Sequence, residues 1–340
     1  MRRTLNLVPI LLVAVGILAW PAIAQQKLAQ TGMKFLNVGT DARAISLGEA
    51  YTAVEAGSAS LFFNPAGMAR SGALANASLG QVQWIAEIKH NYGTLAISPA
   101  NGDYGVIGVM VQTVDYGDLN MTVRSNDDKG YVDLGTFSPA GTMIGLGYAR
   151  ALSEKFAVGG VAKYVRQNLG HGVVGVTSGA GGTSYTSQSN VEELFAFDFG
   201  ITYKTGFKSL EFGMVVRNFS KEARFEDEGF QLPLTFRIGL AMNMFDLTKL
   251  DPETHQFLLV IDAEHPRDFP ERVKVGGEYL FMKILALRAG FISRADEQKF
   301  SYGVGLQKAF SSFGLGFDYA YTPYGLFDSV HRFTFQFTWM

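Results

Sequence analysis

The sequence predicts an all-β protein, a transmembrane antiparallel β-barrel of about fourteen strands behind an N-terminal plug. From Ser71 onward, segments of about ten residues alternate large apolar side chains with small or polar ones. This period of two is expected of a strand whose two faces meet different surroundings. The connectors alternate between short turns and longer polar loops, which is typical of barrels that cross an outer membrane.

The chain begins with "MRRTLNLVPILLVAVGILAWPAIAQQ", which predicts a secretory signal peptide. Arg2 and Arg3 supply the basic region, residues 7–19 the apolar region, and Ala22-Ile23-Ala24 a cleavage site. An uncleaved membrane anchor is the alternative. We expect residues 1–24 to be removed and the mature protein to be exported to the bacterial outer membrane. No later stretch approaches the ~18 apolar residues of a membrane helix.

The composition excludes several classes of function. Cysteine is absent, which rules out disulfides, thiolate metal sites, a cysteine nucleophile and a lipidated N-terminal cysteine. The formal net charge of −2 gives no reason to expect nucleic acid as a partner.

The alternation is clearest in "LFAFDFGITYK", where Phe195, Phe197 and Phe199 are separated by Ala196 and Asp198. A small and polar second face is expected of a barrel lumen. A secreted sandwich or propeller is the competing interpretation, and it would show more Lys, Glu and Thr on its outer faces. The segments lie at 73–86, 91–99, 103–114, 141–151, 156–168, 193–204, 209–218, 232–245, 256–263, 272–281, 284–293, 299–309, 313–322 and 330–340. The long loops between them are 115–140, 169–192, 218–231, 264–271 and 294–298.

The last strand, "VHRFTFQFTWM", carries Phe333, Phe335, Phe337 and Trp339 at every second position. We expect this row to face lipid, with Trp339 near the membrane interface. A terminal strand of this kind also resembles the signal that the barrel assembly machinery recognises, although this chain ends on Met340.

Residues 25–70 do not alternate, and they precede the barrel of residues 71–340. Because about fourteen strands enclose a lumen too wide for side chains alone to fill, the barrel needs a plug. We therefore expect residues 25–70 to form a hatch inside the barrel. Pro65 favours a turn there, and Asn64 can hydrogen-bond to its own backbone two residues further on.

The stretch "GTDARAISLGEAYTAVEAGSASLFFNPAGMA" before the strands resembles the PorV/PorQ family of outer-membrane proteins, which is similar to the FadL transporters. The resemblance implies a FadL-like fold and a hatch. The resemblance is carried by eight residues, which it implies form the hatch motif. They are Asp41, Arg43, Gly48, Glu49, Asn64, Pro65, Ala66 and Gly67.

Charged residues recur at the alternate strand positions that otherwise carry small or polar side chains. They are expected to point into the lumen, since charge inside a membrane protein needs water or a partner. They could form salt bridges that fasten the plug to the wall, or they could line a polar conduit or a head-group site. These residues are Lys163, Asp198, Glu211, Arg217, Arg237, Asp262, Lys274, Glu278, Arg288 and Asp318.

We find no catalytic constellation, and we expect no enzyme, no metal and no cofactor. "GHGVVG" at 170–175 matches a dinucleotide motif in its letters, but a flexible loop rather than a helix is predicted to follow. The five histidines lack metal-ligand spacing. An acid–base site could be suggested by Asp262, Glu264 and His265. We interpret these residues instead as the end of a strand and the start of the polar loop 264–271.

The resemblance implies two possible functions. The favoured one is an accessory of type IX-like secretion, whose partners are a secretion translocon and exported cargo proteins that it hands on for surface attachment. The alternative is FadL-like uptake of a hydrophobic small molecule such as a fatty acid. Outer-membrane lipid and the barrel assembly machinery are expected partners in both.

Overall fold

A computed structural model describes residues 31–124, 128–177, 183–225 and 228–340. The predicted signal peptide, residues 1–24, lies outside the described residues, as does the start of the predicted hatch at residues 25–30.

The predicted barrel is confirmed. Fourteen antiparallel strands close into one barrel, and four further strands form two small two-stranded sheets in the long loops, β4 with β5 and β10 with β11. The strands are β1 Ala75–Gln83, β2 Lys89–Ile97, β3 Val106–Asp115, β4 Leu119–Arg124, β5 Tyr131–Phe137, β6 Ala140–Ala151, β7 Phe156–Thr177, β8 Thr183–Lys204, β9 Glu211–Phe219, β10 Ala223–Phe225, β11 Glu228–Phe230, β12 Thr235–Asn243, β13 His255–Pro266, β14 Arg272–Phe281, β15 Leu285–Ile292, β16 Phe300–Ala309, β17 Phe313–Tyr324 and β18 Phe327–Trp339.

The barrel closes between its first and last strands. β1 pairs with β18 from Ala75 opposite Trp339 to Gln83 opposite His331. Because the closed sheet has no free edge, its backbone hydrogen-bonding groups are satisfied between strands, as a hydrocarbon environment requires.

Large apolar side chains cover the outside of the barrel. Phe195, Phe199, Phe335, Phe337 and Trp339 are all exposed, as the alternation predicts. An exterior of this kind would be costly in water but is the usual lipid-facing surface of a membrane barrel. The fold is therefore that of an outer-membrane-type β-barrel.

Two predicted loops are wrong in their extent. The predicted loop 169–192 is largely strand, because β7 continues to Thr177 and β8 begins at Thr183. Val and Thr in this stretch favour extended backbone despite its many glycines. The 170–175 motif therefore lies inside a strand and opens no helix. The loop predicted at 264–271 starts later, because β13 runs through Glu264 to Pro266.

The N-terminal segment, residues 31–70, is built of short helical turns rather than strands. It holds 3-10 turns at Lys34–Asn37, Gly57–Phe62 and Pro65–Met68 and one α-helix at Ala42–Ser46. Asp41 caps this helix by accepting a hydrogen bond from the backbone N–H of Ala44 at 2.9 Å.

Among the residues that the structure describes, no helix is long and apolar enough to cross a membrane.

The core of the molecule lies inside the barrel. Buried side chains of the N-terminal segment, such as Phe35, Leu61 and Met68, form one cluster with inward-facing wall residues such as Met110 and Val161. The segment thus supplies apolar surface that a lumen of this width would otherwise lack. Its role as a movable hatch stays a prediction.

Candidate functional site

A cavity of about 420 Å³ lies at the long-loop end of the barrel, between the N-terminal segment and the wall. Phe35 and Gly39 of the segment form one side. Trp84 and Phe269 reach the cavity from connectors between strands, and Tyr324 reaches it from the end of β17. The cavity therefore has an aromatic border of the kind that binds small organic molecules.

The Trp84 indole packs against Tyr324, which also borders the cavity, and against the buried Arg332. Its ring centroid lies 5.2 Å from that of Tyr324 in an edge-to-face arrangement, and 5.4 Å from the guanidinium carbon of Arg332. The buried Arg332 donates from Nε to the carbonyl oxygen of Gly39 at 2.9 Å and from Nη1 to Thr322 Oγ1 at 3.0 Å. Arg332 thereby fastens the N-terminal segment to the closing strand.

A cluster of four charged side chains also lines the cavity. Glu49 of the N-terminal segment accepts through Oε2 from Lys274 Nζ at 2.7 Å and from Arg237 Nη2 at 3.2 Å. Glu264 lies on the other side of the same two cations, 2.8 Å from Lys274 Nζ and 2.6 Å from Arg237 Nη2. Burial opposes charge on Glu49, but Lys274 and Arg237 hold its pKa below the ordinary value.

A second charged cluster joins the short α-helix to the wall. Arg43 donates to both carboxylate oxygens of Glu278, at 2.8 and 2.7 Å. Glu278 also pairs with Arg288, whose Nη1 lies 2.5 Å from Asp318 Oδ1. Paired, bidentate contacts of this kind are among the strong hydrogen bonds of proteins.

Two side chains hold the middle of the segment without an ion pair. Asp262 of β13 accepts through Oδ2 from the backbone N–H groups of Tyr51 and Thr52 at 3.0 and 3.1 Å, and from Thr52 Oγ1 at 2.6 Å. The buried Asn64 donates to the carbonyl oxygens of Thr52 at 2.7 Å and of Ile201 at 3.0 Å. Asn64 therefore links the segment to itself and to β8.

The other predicted motif residues lie beside these contacts. Pro65, Ala66 and Gly67 are buried in the last turn of the segment, where Asn64 Oδ1 accepts from the backbone N–H of Ala66 at 3.2 Å. Gly48 adopts a positive φ of 66° immediately before Glu49.

All ten charged residues predicted to point inward lie on the inner face of the wall, nine of them buried and Glu211 half-buried. Lys163 pairs with Asp198 at 2.5 Å within the wall, and Glu211 lies 3.6 Å from Lys204. Arg217 is buried and forms no ion pair in the part of the chain that the structure describes. Their functional roles stay predictions.

Two charged residues of the site, Glu264 and Arg332, were not predicted from the sequence to point inward from strands. Glu264 was assigned to a loop, although it continues the phase of Asp262 along the strand. Arg332 lies two residues before Thr334 in the last strand, so both point inward, whereas Phe333 between them points outward. Both could have been found by extending the period-two pattern one position further.

Within the described ranges, no three His, Asp or Glu residues are grouped so as to hold a metal ion.

Comparison with known proteins finds similarity in structure alone. No protein-family model and no curated protein matches the chain. The solved structure of the CymD monoaromatic hydrocarbon channel matches with a TM-score of 0.57 and 14% identity over 89% of this chain and 97% of that one. The toluene transporter TodX of Pseudomonas putida matches with a TM-score of 0.57 and 14% identity over 92% and 99%. A FadL homologue of Pseudomonas aeruginosa matches with 0.53 and 9% over 88% and 98%.

These matches show that the chain shares the barrel fold of FadL- and TodX-type channels. At such low identity the likeness concerns the fold alone, because one fold can host many functions. The finer resemblance to the PorV/PorQ family stays a prediction.

Proposed function

We propose that the chain is a non-enzymatic outer-membrane channel that admits a small hydrophobic molecule, with residues 31–70 acting as the hatch. The observation that carries this proposal is the cavity between the N-terminal segment and the long-loop end of the barrel. A molecule that arrives from outside would meet both the aromatic rings and the charged side chains that line this cavity.

The fold comparisons favour this transport function over the secretion accessory. The similar solved structures are described as a monoaromatic hydrocarbon channel and a toluene transporter. The secretion accessory depends on the sequence resemblance to PorV/PorQ proteins alone.

The contacts of the N-terminal segment explain how such a channel would stay closed. The segment fills the lumen with buried apolar side chains and is held by Glu49, Arg43 and Asn64. Passage of a ligand requires these contacts to open, since packed interiors leave few gaps larger than water. Transport would then proceed by ligand binding in the cavity followed by movement of the segment.

Uptake of radiolabelled toluene by bacterial cells that make this chain tests the proposal. Ala295 is buried and lines the cavity, so Ala295→Phe should fill the cavity and reduce uptake to that of cells without the chain. The matched control is Leu326→Phe, at an exposed turn of the same barrel end, which should leave uptake unchanged. The heat-resistant gel mobility of the folded barrel verifies assembly of both variants.

Equal uptake by the parent chain, the Ala295→Phe variant and cells without the chain would contradict the proposed function.

A further inference from the structure

We propose that Glu49 occupies a built anion site in the closed channel, and that an aromatic monocarboxylate entering the cavity takes its place on Arg237 and Lys274. This inference rests on the proposed transport function and adds to it a ligand class and a trigger for opening.

The first argument is the charge of the cluster. Arg237, Lys274 and Glu264 belong to the barrel wall, whereas Glu49 belongs to the N-terminal segment. With Glu49 in place, two cations face two carboxylates and the cluster is neutral. If Glu49 leaves, the wall keeps two cations and one carboxylate, and burial makes the uncompensated positive charge unfavourable. A bound monoanion restores neutrality.

The second argument is geometric. Both cations contact the same Glu49 oxygen, Oε2, and both of their side chains are nearly inaccessible to solvent, at 6% for Arg237 and 2% for Lys274. The side chains of all four cluster residues line the cavity, so a ligand in the cavity reaches the cations without crossing the wall. Because a guanidinium and a carboxylate match in shape and donor geometry, a ligand carboxylate can replace that of Glu49.

The third argument is the backbone that carries Glu49. Gly48 and Glu49 have φ values of 66° and 59°, in the left-handed region. A residue with a Cβ adopts this conformation with strain, and surrounding contacts must hold it there. The pairs with Arg237 and Lys274 are such contacts. Loss of both pairs to a ligand would free this turn to relax, and the segment would loosen at the cavity side.

The aromatic part of the ligand is inferred from the rest of the lining. Phe35, Trp84, Tyr116, Phe269 and Tyr324 all border the cavity. Aromatic rings prefer edge-to-face and offset-stacked contacts with one another, which a planar aromatic ligand can extend. We therefore infer one amphipathic ligand, whose carboxylate binds the two cations and whose ring packs among these aromatic side chains.

Fluorescence titration of the purified full chain in a non-ionic detergent tests the inference. Trp84 lines the cavity and reports binding, whereas the other tryptophan of the described residues, Trp339, lies on the outer face of the last strand. The probes are 3-phenylpropionate and its methyl ester, which differ in charge but share the ring. Glu49→Gln should raise the ratio of carboxylate affinity to ester affinity by at least about 5-fold, the lower end of coupling between linked sites. The ester serves as the reference because it shares the ring and lacks the charge.

Two further variants sharpen the test. Lys274→Met should lower the ratio of carboxylate affinity to ester affinity by at least about 5-fold, and Lys274→Arg should restore the ratio. The control Glu55→Gln alters another segment carboxylate, which pairs with Arg70 and Lys204 away from the cavity. It should change neither affinity. Binding of the ester also shows that each variant is folded.

The outcomes separate this inference from the proposed function. If the ester binds but Glu49→Gln leaves the ratio of carboxylate affinity to ester affinity unchanged, the inference is overturned and the channel function stands. If neither probe binds the parent chain, the inference is overturned, and the channel function is overturned with it only if toluene uptake also does not depend on the chain.

Discussion

Two glycines of the barrel wall determine how closely the N-terminal segment approaches it. A Cβ atom at Gly290 of β15 would lie 2.0 Å from the backbone nitrogen of Gly48, and one at Gly200 of β8 would lie 1.9 Å from Asn64 Oδ1. No heavy atom fits at such distances without displacement of its neighbour. The absence of a side chain at these positions therefore allows the segment to contact the wall directly.

Replacement of Gly290 should push the segment away from the wall. We expect Gly290→Val to lower the free energy of unfolding by about 1–3 kcal/mol, the usual cost of overpacking. Urea unfolding in lipid vesicles measures this change, and protease cleavage within residues 31–70 should increase in parallel. Gly314→Val is the matched control, because a Cβ there lies 3.6 Å from its nearest neighbour. Equal stability of the two variants would contradict close docking at Gly290.

The phase of the charged residues follows from the sequence, whereas their partners do not. The period of two predicts that Lys274 and Glu278 point inward, since both lie in the small-residue phase of one strand. That Lys274 meets Glu49, which precedes it by 225 residues, depends on how the segment folds inside the closed barrel. No local pattern carries this information.

At the scale of elements, the N-terminal segment is held by a few specific side chains rather than by regular secondary structure. Its one α-helix has five residues and its longest 3-10 turn has six, and both are too short to be stable alone. Hydrogen bonds from Asn64 and to Asp262 therefore contribute much of what fixes its path.

Loss of Asn64 should loosen the segment. Asn64→Ala leaves the buried carbonyl oxygen of Thr52 and the half-buried one of Ile201 without this donor, at a cost of about 1–3 kcal/mol. We expect more frequent openings and a higher mean conductance in planar lipid bilayers. Asn120→Ala, at an exposed position of the β4–β5 sheet, should match the parent chain. Identical conductance of the parent and Asn64→Ala would argue against a hatch.

The strands themselves could be predicted well, but the loops could not. Alternation identified all fourteen barrel strands because most outward-facing side chains are apolar. It did not predict how far β7 and β8 extend at the long-loop end of the barrel, where their sequence is rich in Gly and Thr. In that stretch Val173 and Val174 are adjacent and glycines recur, so the sequence shows no regular alternation although the backbone pairing continues.

At the scale of the whole molecule, an apolar exterior encloses a charged and tightly packed interior. The exterior suits lipid. The inner wall carries buried cations and carboxylates that pair with one another, and some of them also pair with the N-terminal segment. Because these ion pairs are buried, removing one partner is costly, since it leaves an uncompensated charge away from water. This interior is consistent with the proposed exchange of the Glu49 carboxylate for that of a ligand.

The most direct test of the small-molecule channel is native mass spectrometry of the chain extracted gently from its own membrane. We predict a bound small molecule on the parent chain that is lost in the Ala295→Phe variant, because this substitution fills the cavity. A co-purifying polypeptide, retained equally by both chains and without any small adduct, would contradict the channel and favour the secretion accessory.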